Sequence, residues 1–272
     1  MSPADATVTT ARRPVAVITG ASSGIGAELA REFAAHGHEL VLVARREHEL
    51  ALLADDIAAR GGPRPTVLPL DLAMPDISAT LARELEARGL QPQYVVNNAG
   101  FGLAGHAARL SRAEQLTMID LNVRALVDLS LAFVEDLAAQ TGGLLNVASV
   151  AGFLPGPGAA VYYASKAFVL SFTEALHWEL AQRGIRVTVL CPGPVPTGFQ
   201  RRAGVERELK LSPMTRSAGE VARAGYRGLM EGRRRVVPGW PNRLVTALVG
   251  FAPRDLVLKL VEARQNRRRS AL

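Results

Sequence analysis

The stretch VAVITGASSGIG, residues 15–26, decides the fold. Its first five residues are apolar and mostly β-branched, which reads as a short strand, and an Ala/Glu/Leu-rich segment that reads as a helix follows to about residue 36. Between them, Gly20, Gly24 and Gly26 let the backbone approach a pyrophosphate closely. The new helix offers unpaired N–H groups and the positive end of its dipole to the same anion. Glycine spacing alone is weak, but strand, glycine turn and helix in that order supply the context the motif needs.

Working outward, a second strand over residues 39–43 ends in Ala44, Arg45 and Arg46. In a dinucleotide fold this strand end faces the adenosine ribose, where an acid suits a bare 2′-hydroxyl and an arginine suits a 2′-phosphate. Two arginines and no acid point to NADP(H), against the alternative of an ordinary surface pair at a helix start. A helix to about residue 60 and a third strand to residue 70 complete one βαβαβ half, with Asp71 placed either to meet an adenine edge or to cap the next turn. A fourth, short strand over residues 94–96 runs into Asn97, Asn98, Ala99 and Gly100, where amides at a strand end either bridge strands or hold a ligand. Two helical stretches follow, a long one spanning residues 122–140, and Asn122, between Leu121 and Val123, reads as a tolerated polar position, a local distortion or the holder of a water.

The fifth strand, residues 144–148, delivers Ser149 to the same sheet edge as the glycine turn. A Gly/Pro-rich loop then leads to Tyr162 and Lys166, four apart at the start of a helix running to about residue 182, so the two side chains should share a face. Tyrosine titrates near ~10, and an adjacent ammonium is expected to lower that value. A sixth strand over residues 185–190 leads into CPGPVPT, residues 191–197, a stiff loop suited to walling off a nicotinamide or simply to turning the chain. Residues 199–230 read as two polar helices and residues 235–237 as a last strand.

Composition narrows the classes. The chain has 272 residues, 48% of them hydrophobic, enough for one large core. Residues 1–200 carry 15 Lys/Arg against 19 Asp/Glu, a balance of −4, whereas residues 201–272 carry 17 against 6, a balance of +11. Such asymmetry marks either a solvated basic surface or contact with an anionic membrane, nucleic acid or a phosphorylated ligand. The basic region lacks interleaved aromatics, which argues against nucleic acid. A single cysteine, Cys191, excludes an intrachain disulfide, and with no targeting peptide read at residues 1–13 the expected compartment is the cytoplasm. The five histidines form no metal-ligand pattern, and the chemistry needs no metal.

Together these residues resemble the short-chain dehydrogenase/reductase family. TGASSGIG at 19–26, NNAG at 97–100, Asn122, Ser149, the Tyr-x-x-x-Lys pair and PG at 192–193 fall in that family's order, over residues 14–240. The resemblance implies an α/β, Rossmann-like, doubly wound parallel sheet of seven strands with helices on both faces. It implies a catalytic set of Asn122, Ser149, Tyr162 and Lys166. It further implies NADP(H) contacts from Gly20, Ser22, Ser23, Gly24, Ile25, Gly26, Arg45, Asp71, Asn98, Ala99, Gly100, Tyr162, Lys166, Pro192, Gly193, Val195 and Thr197, and pairing of subunits into a homodimer or homotetramer.

The expected organisation is a flexible segment (residues 1–13), an NADP-binding domain with its own active site (14–240) and a basic amphipathic helical extension (241–272). The extension carries Leu256, Val257, Leu260 and Val261 followed by Arg264 and Arg267 to Arg269. It reads either as packing on the domain or a second subunit, or as a peripheral membrane-surface helix. The activity expected is NADPH-dependent reduction of a carbonyl. Phe101, Leu103, Phe153, Leu154, Pro155 and Phe199 lie in loops expected to border the site and suggest an apolar substrate, although core packing explains some of them equally well, while the basic C-terminal quarter leaves a CoA or acyl-carrier thioester open. The competing class is a cofactor-binding scaffold or regulator at a membrane surface that keeps the fold without turnover.

Overall fold

A computed structural model describes residues 12–196 and 212–270, with side chains to residue 263. Its strands are β1 (Arg13–Thr19), β2 (Leu40–Ala44), β3 (Thr66–Pro69), β4 (Leu90–Asn97), β5 (Gly143–Val147), β6 (Arg186–Leu190) and β7 (Arg235–Val236). All pair in parallel, in the order β3-β2-β1-β4-β5-β6-β7, as expected from the sequence. The order reverses between β1 and β4, which opens a crevice at their carboxyl ends.

The helices are α1 (Gly24–Ala35), α2 (Glu47–Ala59), α3 (Ile77–Glu86), α4 (Arg112–Ile119), α5 (Ala125–Ala132), α6 (Val134–Ala139), α7 (Ala160–Ala181), α8 (Ala218–Met230), α9 (Trp240–Leu248) and α10 (Arg254–Ser270). Strand side chains alternate between faces, and the core divides accordingly. Ala16, Ile18, Leu40 and Leu42 pack with Leu29 and Phe33 of α1, Leu50 of α2 and Leu229 of α8. Val15, Val17, Val41 and Val43 turn the other way, onto Leu81 of α3, Leu129 of α5 and Leu176 of α7. Both faces of the central strands are covered, which is why these strands read as continuous apolar runs.

Several elements differ from the sequence reading for local physical reasons. β4 starts at Leu90, well before the expected residue 94, although Pro92 lies inside it. The register with β1 slips between Val15 and Ala16, so a bulge absorbs the proline that cannot donate to the ladder. The expected helix over residues 122–140 is broken: a π turn spans Asp120–Arg124, α5 follows, and Phe133 interrupts before α6. α8 is amphipathic instead of polar. It buries Val221, Ala222, Tyr226 and Leu229, and a capping box between Ser217 and Glu220 starts it. The first of the two polar helices expected within 199–230, and residues 1–11, fall outside the described residues. Among the described residues no helix is long and apolar enough to cross a membrane.

Candidate active site

The crevice begins with Thr19, whose hydroxyl is buried at the end of β1. It donates to Val96 O at 3.0 Å and accepts from the N–H groups of Asn98 at 3.0 Å and Ala99 at 3.1 Å. The Asn98 amide donates to Thr19 O at 2.9 Å and to Gly20 O at 3.3 Å. The glycine turn is therefore tied to the NNAG turn, and side chains are excluded from the seam. A Cβ on Gly20, whose φ is +65°, would lie 2.8 Å from Ala99 Cα, and one on Gly26 would lie 2.3 Å from Gly20 O. Of the two amides that the sequence left open between bridging and ligand binding, both bridge. Asn97 is buried and donates to Ser130 Oγ at 3.1 Å and to Asn146 Oδ1 of β5 at 3.0 Å.

This cradle fits a pyrophosphate. α1 starts at Ser23, with no side chain capping its first turn and no acidic residue within it, so backbone N–H groups and the helix dipole face the crevice. Arg46 adds a cation: Nη2 donates to Ser22 Oγ at 2.9 Å, Ser23 Oγ at 2.8 Å and Ser22 O at 3.3 Å. Arg45, the arginine that the resemblance places at the phosphate, is exposed and lies 3.9 Å from Asp71 Oδ2. Asp71 is exposed, and its Oδ1 accepts from Ala73 N at 3.1 Å, so it caps the turn that follows β3. The contact of Arg46 with the glycine turn is not legible in the sequence, although the Arg-Arg pair marks the place. Neighbours along a chain point in different directions, and only the fold says which one crosses to the glycine turn. Ile25 is half-buried beside the core, and Val195 is buried within it.

Ser149, Tyr162 and Lys166 meet on the other side of the crevice. The Tyr162 hydroxyl is hydrogen-bonded with Ser149. Ser149 Oγ also accepts from Ala151 N at 3.1 Å, which holds the loop after β5 in place. That loop lies against α7, since a Cβ on Gly152 would sit 2.6 Å from Lys166 O. Lys166 is buried, and its ammonium donates to Val147 O at 2.8 Å. Tyr163 packs instead against Gly156, where an added Cβ would stand 2.1 Å from its ring.

The charge balance of the pair differs from the sequence expectation. Burial pushes the Tyr162 phenol up to about 12, against the opposing hydrogen bond from Ser149. Burial also pulls the Lys166 ammonium down, to about 8. Because that ammonium points at the Val147 carbonyl, it does not offset the cost of burying a phenolate. The arrangement keeps the phenol protonated through neutral pH.

Asn122 lies in the π turn, a local distortion of the kind its position suggests. Buried there, its amide accepts from Phe101 N at 3.1 Å and donates to Phe101 O at 2.9 Å and to Ser165 Oγ at 3.1 Å. It clasps the NNAG turn to α7, and a Cβ on Gly100 would reach to 2.8 Å from Asn122 Oδ1 and 3.6 Å from Lys166 Nζ. Phe101 is consequently a core residue at 5% exposure and not a substrate wall, whereas Leu103, Phe153, Leu154 and Pro155 are half-buried. Thr197 and Phe199 lie outside the described residues.

The proline loop is held from the C-terminal side, a contact that the sequence reading missed. Val150 N donates to Pro192 O at 2.9 Å, and Arg216 N donates to Pro194 O at 3.2 Å. Asn242 of α9 is wholly buried. Its Nδ2 donates to Met214 O at 3.0 Å and Pro238 O at 2.8 Å, while its amide lies against Gly193, 2.5 Å from where a Cβ would be. A boundary at residue 240 thus cuts through packing at the site. The only sequence signal was an asparagine among apolar neighbours. Metal-ligand clusters are absent among the described residues.

Two measurements check this geometry. In the cofactor-free protein, the difference in ultraviolet titration between wild type and Tyr162→Phe should show no phenolate from Tyr162 below its ordinary value of 10.0, with ionisation centred at about 12. A step near neutrality would contradict the burial. Asn242→Ala should lower stability by about 1–3 kcal/mol in urea denaturation, because two hydrogen bonds from a buried amide to backbone carbonyls are lost. Gly193→Ala should be destabilising alone but less so in the Asn242→Ala background, where its methyl has room.

The sequence profile described as short chain dehydrogenase matches residues 14–208. Among curated proteins, a sulfoacetaldehyde reductase of Chromohalobacter salexigens is 39% identical over 188 residues, covering 68% of this chain and 74% of that protein. Among solved structures, a short-chain dehydrogenase from Sphingobium yanoikuyae in complex with NADPH has a TM-score of 0.76 at 33% identity, covering 88% of this chain and 94% of the other. A short-chain dehydrogenase/reductase from Burkholderia phymatum in complex with NAD has a TM-score of 0.74 at 29% identity, covering 88% and 92%. With its parallel sheet, glycine cradle and serine–tyrosine–lysine cluster, this chain belongs to the short-chain dehydrogenase/reductase family of oxidoreductases.

Proposed function

We propose that the protein reduces the carbonyl of an apolar ketone or a 3-oxoacyl substrate to the secondary alcohol, reversibly, with NADPH as the reductant. The observation that carries this reading is the hydrogen bond between the Tyr162 hydroxyl and Ser149, which follows β5 at the same sheet edge where the glycine turn follows β1. When bound, the nicotinamide supplies the hydride. Ser149 donates a hydrogen bond to the substrate oxygen, and Tyr162 gives it a proton as charge develops there. A developing alkoxide is a far stronger base than a phenolate, so a phenol near 12 still transfers its proton downhill. Lys166, bonded to Val147 O, holds the end of β5 beneath Ser149, and Asn122 positions Gly100 and Phe101 beside it.

The preference for NADPH over NADH rests on the arginines at the end of β2 and the absence of an acid among Ala44, Arg45 and Arg46. Arg46, already fixed over Ser22 and Ser23, and Arg45 beside Asp71 flank the position where a ribose 2′-phosphate would lie. Half-buried Leu103, Phe153, Leu154 and Pro155 support an apolar substrate, and the basic C-terminal quarter leaves a CoA or acyl-carrier thioester as one form of it. Exposed Leu116 and Ile119 of α4, Leu131 of α5, and Phe168 and Trp178 of α7 support a homo-oligomer that buries them.

Tyr162→Phe should lower kcat by about 10²–10⁴-fold while NADPH still binds, measured by cofactor fluorescence titration. Near-wild-type turnover would remove Tyr162 from its role. Arg46→Ala should raise the KM for NADPH about tenfold to a hundredfold, with little change for NADH, since a charge-assisted contact to phosphate is lost. Equal effects on both cofactors would contradict the assignment.

A further inference from the structure

The most unusual surface of the molecule lies at its C-terminal end. Fourteen large apolar side chains are exposed among the described residues, and seven of them fall between residues 240 and 260. In α9, Trp240, Leu244 and Leu248 recur every fourth residue and form one stripe. Trp240 is 71% exposed, and Phe251, just beyond the helix, is 89% exposed. The orientation of α9 is set from the opposite side. Asn242, half a turn round from the stripe, is wholly buried and bonded to Met214 O and Pro238 O, so the stripe is fixed facing outward. α10 repeats the arrangement: Val257 is buried at 7%, while Leu256 and Leu260 are exposed.

The same segment is strongly basic. Residues 240–272 carry seven Lys/Arg against two Asp/Glu. Arg243, Arg254 and Lys259 are exposed among the apolar positions, and four more arginines follow in sequence at 264 and 267–269. A second copy laid face to face would bring like charge against like charge, which disfavours self-association through this surface. A surface that is apolar in its interior and negative at its rim would satisfy both features. Trp and Phe at the two ends of the α9 stripe are the side chains suited to the boundary between headgroups and acyl chains.

We propose that the 240–272 segment docks the protein on the surface of an anionic lipid bilayer, with the α9 stripe and Phe251 entering the headgroup boundary and the arginines meeting lipid phosphate. Asn242, on the opposite side of α9 from the stripe, joins this docking helix to the proline loop at Gly193, so the helix lies between the lipid surface and that loop. The proposal concerns binding alone, and its outcome is independent of whether the substrate reading holds.

The test is sedimentation of the full chain with vesicles of phosphatidylcholine alone and of phosphatidylcholine mixed with phosphatidylglycerol. The protein should pellet with the anionic vesicles and largely remain in solution with the neutral ones, and added salt should release it. Leu248→Ser with Phe251→Ser should weaken the partitioning about tenfold or more, as expected for two apolar side chains withdrawn from the boundary. Phe251→Leu, which keeps the apolar surface, should bind as wild type. Because these side chains are exposed, the circular dichroism and NADPH binding of all variants should match wild type. Equal pelleting with neutral vesicles, no pelleting with either, or undiminished binding of the double serine variant would overturn the proposal. So would a dimer, seen by light scattering without lipid, that the double variant converts to monomer, because the face would then belong to a second copy.

Discussion

The active-site edge depends on the buried hydroxyl of Thr19. Two parallel strands running side by side end with unpaired backbone groups, and a crevice built there loses shape unless those groups are satisfied. Thr19 satisfies three of them, on Val96, Asn98 and Ala99, and Asn98 returns the favour to the carbonyls of Thr19 and Gly20. The glycine turn is thereby fixed against the NNAG turn at a distance only glycine tolerates. The whole cofactor half of the crevice takes its shape from that seam.

The catalytic half is stabilised by a similar economy of buried polar groups. Asn97, Ser130, Asn146 and Thr173 form a chain of hydrogen bonds through the sheet and into α5 and α7 beneath the site. Above it, Asn122 clasps Phe101 to Ser165, and Lys166 reaches Val147 O. In a low-dielectric interior such networks hold their members in a single arrangement. The consequence for function is electrostatic. The phenol and the ammonium are each pushed toward their neutral forms by burial.

The C-terminal helices join this centre to the outer surface. Asn242 uses one amide to hold the turn at Met214 and to crowd Gly193, and in doing so it fixes which side of α9 faces out. One buried residue therefore links the proline loop of the site to an exposed apolar stripe.

Much of the fold was legible in the sequence because parallel strands buried on both faces leave continuous apolar runs, and glycine, proline and capping residues punctuate them. Seven strands, their order and the meeting of Ser149, Tyr162 and Lys166 all follow from that pattern together with the family resemblance. The early start of β4 was hidden because Pro92 argues against a strand and only a bulge opposite Val15 reconciles the two. A distortion at Asn122 was one reading of the sequence, but its π form and the second break at Phe133 were hidden because neither leaves a periodicity of its own. Within the site, sequence determined which residue types gather at the sheet edge. Tertiary structure alone decided that Arg46 and not Arg45 crosses to Ser22, that Phe101 is core, that Lys166 faces a carbonyl instead of the phenol, and that Asn242 reaches Gly193. Each of these is a choice of direction by a side chain, made by neighbours distant in the chain, and local sequence carries no record of those neighbours.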